Sequence, residues 1–229
     1  MRGEVEMKDN LKQKIINTIE KEKLIAIVRG VPEQKLIKLA EALYAGGIRL
    51  LEVTFSLNKS VSDENTGKMI KKLSENFAGR MYIGAGTVMT KEQVKITKKN
   101  GGLFIISPNT DKKVITTSHK LNMVSMPGAL TPSEAVSASG WGADFVKLFP
   151  ATNLGPSYIK AISAPLSNIK LLAVGGIDEN NMKDYLKVGV SGFGIGTNIV
   201  NKKLLDQDNY EAITELAKKY VDAVKEGEK

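Results

Sequence analysis

A (β/α)8 barrel of the TIM type is the fold class this sequence predicts. Three observations predict it. Strand-like and helix-like patterns alternate through all 229 residues, the strand-like segments number eight, and no Pro/Gly/Ser-rich linker separates them. An open doubly wound α/β sheet is the runner-up, and the count of eight favours the barrel. The length suits one domain spanning residues 1–229.

The elements follow in order. Residues 1–8 are polar, carry no signal-peptide core and are expected to be loose. An N-terminal helix is expected over 9–21, ahead of the first strand, 24–28, which is wholly apolar as a buried parallel strand should be. The segment 34–45 predicts a helix, because Leu36, Leu39, Ala40 and Leu43 fall on one stripe at i, i+3, i+4 and i+7. Pro32 suits its first turn, and Gly46-Gly47 ends it. Further strands are expected over 50–55, 81–85, 103–106 and 123–126, as short apolar runs bounded by turn residues. Thr131-Pro132-Ser133-Glu134 reads as a helix start, with Thr131 as N-cap and Glu134 completing a capping box. Strands at 144–149 and 170–174 follow, then a helix start at Asp178-Glu179-Asn180-Asn181, a last strand at 192–195 and a closing helix over 209–225.

Composition removes several kinds of chemistry. With no cysteine there can be no disulfide, thiolate metal site or cysteine nucleophile. The one histidine, His119, lies in a polar stretch and reads as a solvated helix-end residue, so neither a His-rich metal site nor a serine-type triad is expected. A metal-dependent mechanism is therefore disfavoured. No run of about 18 apolar residues is present, so no membrane span is expected and the chain reads as cytoplasmic. The net charge of +8 is spread over scattered lysines rather than a stripe interleaved with aromatics. That disfavours nucleic acid as a partner, while a positive field helps to gather small anionic substrates.

Two charges stand inside apolar strands. Lys147 lies in Ala143-Asp144-Phe145-Val146-Lys147-Leu148-Phe149-Pro150, and Glu52 in Leu50-Leu51-Glu52-Val53-Thr54-Phe55. A buried ammonium is costly unless paired or neutral, and desolvation favours the neutral amine, which can attack a carbonyl. Side chains alternate along a strand, so Glu52 shares a face with Leu50 and Thr54, and Lys147 shares one with Phe145. In one barrel both can point inward, where an amine and a carboxylate could form an imine and move protons around it. A buried salt bridge without catalytic use is the plainer alternative.

Barrel active sites lie at the C-terminal ends of the strands. Those ends carry Arg29-Gly30, Gly84-Ala85-Gly86-Thr87, Ser107-Pro108-Asn109, Pro127-Gly128, Phe149-Pro150, Gly175-Gly176-Ile177 and Gly194-Ile195-Gly196-Thr197-Asn198. The loops after the last two strands form the frequent phosphate site of this fold. Here Gly175, Gly176, Gly196 and the Thr197 hydroxyl are the candidates.

With these stretches assembled, the chain resembles the class I aldolases of the 2-keto-3-deoxy-6-phosphogluconate / 4-hydroxy-2-oxoglutarate (KDPG/KHG) aldolase family. The resemblance runs from about Leu24 to Val200. It is carried above all by Leu51-Glu52-Val53-Thr54, Ile83-Gly84-Ala85-Gly86-Thr87-Val88 and Val146-Lys147-Leu148-Phe149-Pro150-Ala151. It implies Lys147 as the Schiff-base lysine and Glu52 as the general acid/base working through a water. It also implies that Thr87 and Pro108 lie at the pyruvate carboxylate, Phe149 packs on the imine, and Arg29 is an active-site arginine. Gly175, Gly176 and Thr197 match the phosphate pocket. The implied assembly is a metal-independent homotrimer acting on pyruvate and a phosphorylated keto acid, with glyceraldehyde 3-phosphate or glyoxylate as the aldehyde.

One position departs from the pattern. The better-studied family members follow Glu-Val-Thr with an apolar residue and an arginine, where this chain has Phe55-Ser56. Arg49 lies on the opposite face from Glu52, and Lys59 is the remaining nearby cation. Members with this looser pattern, which also have no Glu after Pro-Ala (Thr152 here), include candidates for the galactonate epimer. A phosphate-binding barrel isomerase or epimerase would share the last two loops without needing Lys147. A non-enzymatic anion- or RNA-binding protein would need only the charge.

Overall fold

The computed structural model describes residues 2–228. Among them nine strands form one parallel sheet: β1 (Leu24–Val28), β2 (Leu50–Thr54), β3 (Tyr82–Gly86), β4 (Phe104–Ile106), β5 (Val124–Met126), β6 (Gly128–Ala129), β7 (Val146–Leu148), β8 (Leu171–Val174) and β9 (Gly192–Ile195). Their order is β5-β4-β3-β2-β1-β9-β8-β7-β6. The helices are α1 (Arg2–Glu22), α2 (Glu33–Ala45), α3 (Asp63–Asn76), α4 (Lys91–Lys99), α5 (Lys112–Lys120), α6 (Pro132–Gly140), α7 (Gly155–Ser163), α8 (Met182–Lys187), α9 (Lys202–Asp206) and α10 (Tyr210–Gly227).

The expected eight strands become nine because the fifth is broken. Pro127 has no N–H to give to a ladder. β5 therefore pairs with β4, and after Pro127 the chain resumes as β6, paired with β7. The carbonyl of Ser125 accepts from Asp144 N–H at 2.9 Å, and that of Pro127 accepts from Lys147 N–H at 2.9 Å. This one segment thus bonds to both neighbours and closes the barrel. A Cβ on Gly128 would overlap the Pro108 carbonyl, so the closure needs glycine there.

The pleat sorts the side chains into two cores. Leu51, Val53, Phe55, Val146 and Leu148 face outward into the layer under the helices. Ile25, Leu50, Phe104, Phe145 and Leu172 face inward and fill the lower half of the barrel. α1 plugs that lower end with Ile15, Ile16 and Ile19, which join the inner cluster. Full burial of such a side chain is worth about 1.5–3 kcal/mol. Lys12 of α1 also pairs with Asp144 at 2.9 Å. Two residues further up each strand, the inward positions are Ile27, Glu52, Lys147 and Val174, and these line a cavity rather than a core.

Several boundaries differ from expectation. α1 begins at Arg2 rather than residue 9, so residues 2–8 extend the helix, and Met1 lies outside the described residues. It ends at Glu22, and the next residue, Lys23, has φ +57°. The strand expected over 144–149 is only Val146–Leu148, because the Asp144 carboxylate is turned back to accept Ser125 N–H at 2.8 Å. The Thr131 capping box is present. The helix expected from Asp178 starts at Met182, since Asp178 Oδ1 first takes the N–H groups of Asn180 and Asn181 at 2.9 and 3.0 Å. α9 has no counterpart in the expected elements. The closing helix is offset by one residue at its start, with Asn209 as an N-cap accepting from Ala212 N–H.

Candidate active site

A cavity of about 450 Å³ opens at the C-terminal ends of the strands. It brings together the ten residues expected to act in catalysis or substrate binding: Lys147, Glu52, Arg29, Thr87, Pro108, Phe149, Gly175, Gly176, Gly196 and Thr197. They come from the ends of β1, β2, β3, β4, β7, β8 and β9. Closure of the barrel gathers these positions, far apart in sequence, around one cavity.

Lys147 and Glu52 are both buried, 8 % and 2 % exposed. Burial holds the Lys147 amine below its ordinary pKa, with Arg29 adding to the effect and Glu52 opposing it. Burial raises Glu52 to a pKa of about 7, against the pull of Lys147 and Arg29. Each charge is therefore destabilised by its surroundings more than its partner stabilises it, which favours the neutral amine. Glu52 Oε2 has no hydrogen-bond partner among the described residues. The two groups are thus not consumed by a hydrogen-bonded structural pair through that oxygen, which is left free to face a proton donor.

The walls hold these groups in place. A Cβ on Gly86 would overlap the Glu52 carboxylate, so glycine at this strand end makes room for the acid. The next residue, Thr87, has φ +54°, a strained conformation for a β-branched side chain. Its Oγ1 accepts from Arg29 Nη2 at 3.2 Å. The Phe149 ring lies 4.7 Å from Lys147 Nζ and covers the amine on one side.

At the other end of the cavity, Gly175 and Gly176 have φ of +95° and +71°. The N–H groups of Gly176, Ile177, Gly196 and Thr197 have no protein acceptor among the described residues. Backbone donors of this kind, beside the Thr197 hydroxyl, form a concave anion-binding surface.

The place of the absent arginine is taken by a polar turn. Ser56 Oγ donates to Asn58 Oδ1 at 2.6 Å and lies 2.9 Å from Ser60 Oγ. Leu57, at the tip, is 62 % exposed and lines the cavity mouth. Lys59 turns away to Asp63 at 3.0 Å and does not line the cavity. Arg49 donates to the carbonyls of Tyr44 and Ile48 and stacks on Tyr44, away from the site. His119 is exposed in the last turn of α5, as expected. Sequence reasoning assigned no role to Leu57 or Asn198, which also line the cavity. Asn198 directly follows Thr197 at a strand end, and that placement could have marked it.

Known proteins resemble this chain over most of its length. A sequence model described as KDPG and KHG aldolase matches residues 15–216. A protein of Rhizobium meliloti (strain 1021) named probable 2-dehydro-3-deoxy-6-phosphogalactonate aldolase is 38 % identical over 177 residues, covering 77 % of this chain and 81 % of its own. A solved structure described as native KDPGal superposes with a TM-score of 0.80 at 31 % identity, covering 89 % of this chain and 95 % of that one. The KDPG aldolase of Legionella pneumophila, solved with pyruvate captured as a covalent carbinolamine, superposes with a TM-score of 0.77 at 33 % identity, covering 86 % of this chain and 93 % of that one.

Proposed function

This chain belongs to the KDPG and KHG aldolase family, and from that premise we propose that it is a class I aldolase working through an imine on Lys147. It cleaves a 2-keto-3-deoxy-6-phospho sugar acid to pyruvate and glyceraldehyde 3-phosphate, and 4-hydroxy-2-oxoglutarate to pyruvate and glyoxylate. One observation carries the reading: an amine held toward its neutral form and a carboxylate with a raised pKa, both buried, face the same cavity.

The steps follow from the groups present. Lys147 Nζ attacks the C2 carbonyl, the new C–N bond forms, and water leaves to give a protonated imine. Glu52 removes the C4 hydroxyl proton, directly or through a water. The pair freed from the O–H bond forms the second C4–O bond of the aldehyde as C3–C4 breaks, and the C3–C4 bonding pair flows into the imine to give an enamine. Protonation of the resulting enamine at C3 and hydrolysis release pyruvate and restore the amine. The covalent iminium is the electron sink, so neither a metal nor a dissociable cofactor is needed. Thr87 and Pro108 border the carboxylate end, with Arg29 beside them, and Phe149 packs on the imine. Homotrimer assembly and a cytoplasmic location complete the proposal. Among the described residues, no helix is long and apolar enough to cross a membrane.

The galactonate epimer is a second reading for the phosphorylated substrate. The Rhizobium meliloti relative supports it, as does the cavity mouth, where Leu57 stands and no cation of the 56–59 turn reaches in.

The phosphate end is tested by Thr197→Val, which removes one hydroxyl and keeps the shape. Loss of a hydrogen bond to a charged group is worth about 1.5–3 kcal/mol, so KM for the phosphorylated keto acid should rise about ten- to hundredfold. Cleavage of 4-hydroxy-2-oxoglutarate, which has no phosphate, should barely change. Equal losses on both substrates would show that the loop serves packing instead.

A further inference from the structure

We infer that Thr152 and Asn181 are positioning residues for the phosphate grip, each pinning a carbonyl of the β8–α8 loop so that the following N–H is turned into the cavity. The inference rests on the proposed phosphate pocket. A trans peptide unit is planar, with its C=O and the next N–H pointing in opposite directions. Whatever holds the carbonyl therefore aims the amide. The Gly175 carbonyl accepts from Thr152 N–H at 3.1 Å and from Thr152 Oγ1 at 3.2 Å. This fixes the plane that carries Gly176 N–H. The Gly176 carbonyl accepts from Asn181 Nδ2 at 2.9 Å. This fixes the plane that carries Ile177 N–H. These two amides are among the loop donors left without a protein acceptor among the described residues.

The pins are themselves held. Asn181 Oδ1 accepts from Asp178 N–H at 3.1 Å, while Asp178 Oδ1 accepts from Asn181 N–H at 3.0 Å. The Asn181 amide is thus fixed at both its oxygen and its nitrogen. A Cβ on Gly176 would overlap the Thr152 side chain, so Thr152 fills the space directly against the loop. Two successive glycines otherwise leave a peptide plane free to rotate at little cost. Rotation would turn carbonyl oxygens toward the anion, and preorganised donors are what make such a site bind. Neither Thr152 nor Asn181 lines the cavity, so any effect they have on substrate must pass through the loop. Asn198 Nδ2 holds the third carbonyl, that of Ile177, at 3.0 Å. Because Asn198 also lines the cavity, it does not separate positioning from contact.

The test compares Thr152→Val, Thr152→Ser and Asn181→Ala with the parent enzyme. KM and kcat are measured on the phosphorylated keto acid and on 4-hydroxy-2-oxoglutarate, together with inhibition of the latter reaction by inorganic phosphate. Thr152→Val and Asn181→Ala should each raise KM for the phosphorylated substrate, and the inhibition constant of phosphate, about three- to tenfold, the worth of one hydrogen bond. Their kcat should stay within about twofold, because the imine chemistry lies at the other end of the cavity. Thr152→Ser keeps the hydroxyl and should match the parent. Should Asn181→Ala not fold, the Val and Ser pair at Thr152 decides the matter. Unchanged KM in Thr152→Val, or equal losses on both substrates, overturns the inference. If Thr197→Val raises KM while the pinning variants do not, the pocket stands and the pins fall. If Thr197→Val and inorganic phosphate are also without effect, the phosphate reading falls, and the inference with it.

Discussion

Lys147→Arg should leave no measurable turnover on any keto acid. The substitution replaces one long, hydrogen-bond-donating side chain beside Phe149 with another of similar length, so it tests chemistry more than folding. A guanidinium keeps its proton under all working conditions and has no free pair to attack a carbonyl. The native amine is in the opposite position, held below its ordinary pKa by burial. Thermal unfolding and circular dichroism of the variant should match the parent closely enough to show an intact barrel. Activity of the parent should be unaffected by chelators, since the electron sink is covalent. Substantial turnover by Lys147→Arg would remove the imine from the mechanism.

Glu52→Gln should lower kcat by about 10²–10⁴-fold, the usual contribution of a positioned acid–base group. The amide is close to isosteric and fits the space left by Gly86, so the loss is of proton transfer rather than shape. The variant should still form some imine with pyruvate. The pH profile carries a second signature. With the Glu52 pKa raised to about 7, the basic form accumulates as pH rises through about 7, so kcat of the parent should climb through that region. In Glu52→Gln that limb should vanish. Stability should move the other way. A carboxylate whose folded pKa is raised binds more protons folded than unfolded. Its stabilising contribution is complete below the ordinary carboxylate value of 4.5 and is lost as pH rises through about 7. Replacement by the neutral amide should therefore raise the melting temperature relative to the parent more at pH 8 than at pH 5. A rate that barely changes, with the limb still present, would make Glu52 only a neighbour of Lys147.

Much of this was legible in the sequence because the barrel obeys two simple periods. Alternation along β2 and β7 placed Glu52 with Leu50 and Lys147 with Phe145, and in the structure all four face the barrel interior. The rule that function sits at C-terminal strand ends led to Thr87, Pro108, Gly175 and Thr197, and all line one cavity. What stayed hidden depended on contacts between distant segments. The split of the fifth strand follows from Pro127 being asked to pair on both sides, which only closure of the barrel imposes. The full length of α1 was missed because its first residues carry no apolar stripe to reveal it. Lys59 was a plausible cation for the cavity on spacing alone, but Asp63 one turn away holds it outside. In the sequence Thr152 stands only as a departure from the family pattern, and Asn181 only as part of a helix start. Their bonds to successive carbonyls of a glycine loop require the folded backbone to be seen.

Borohydride reduction in the presence of pyruvate, followed by peptide mass mapping, tests the central claim most directly. Reduction of the imine converts a transient bond into a stable secondary amine at the lysine that formed it. The account predicts irreversible inactivation, one three-carbon adduct per chain, and the mass shift on the peptide containing Lys147. Retained activity with no adduct, or an adduct confined to any other lysine, would contradict it.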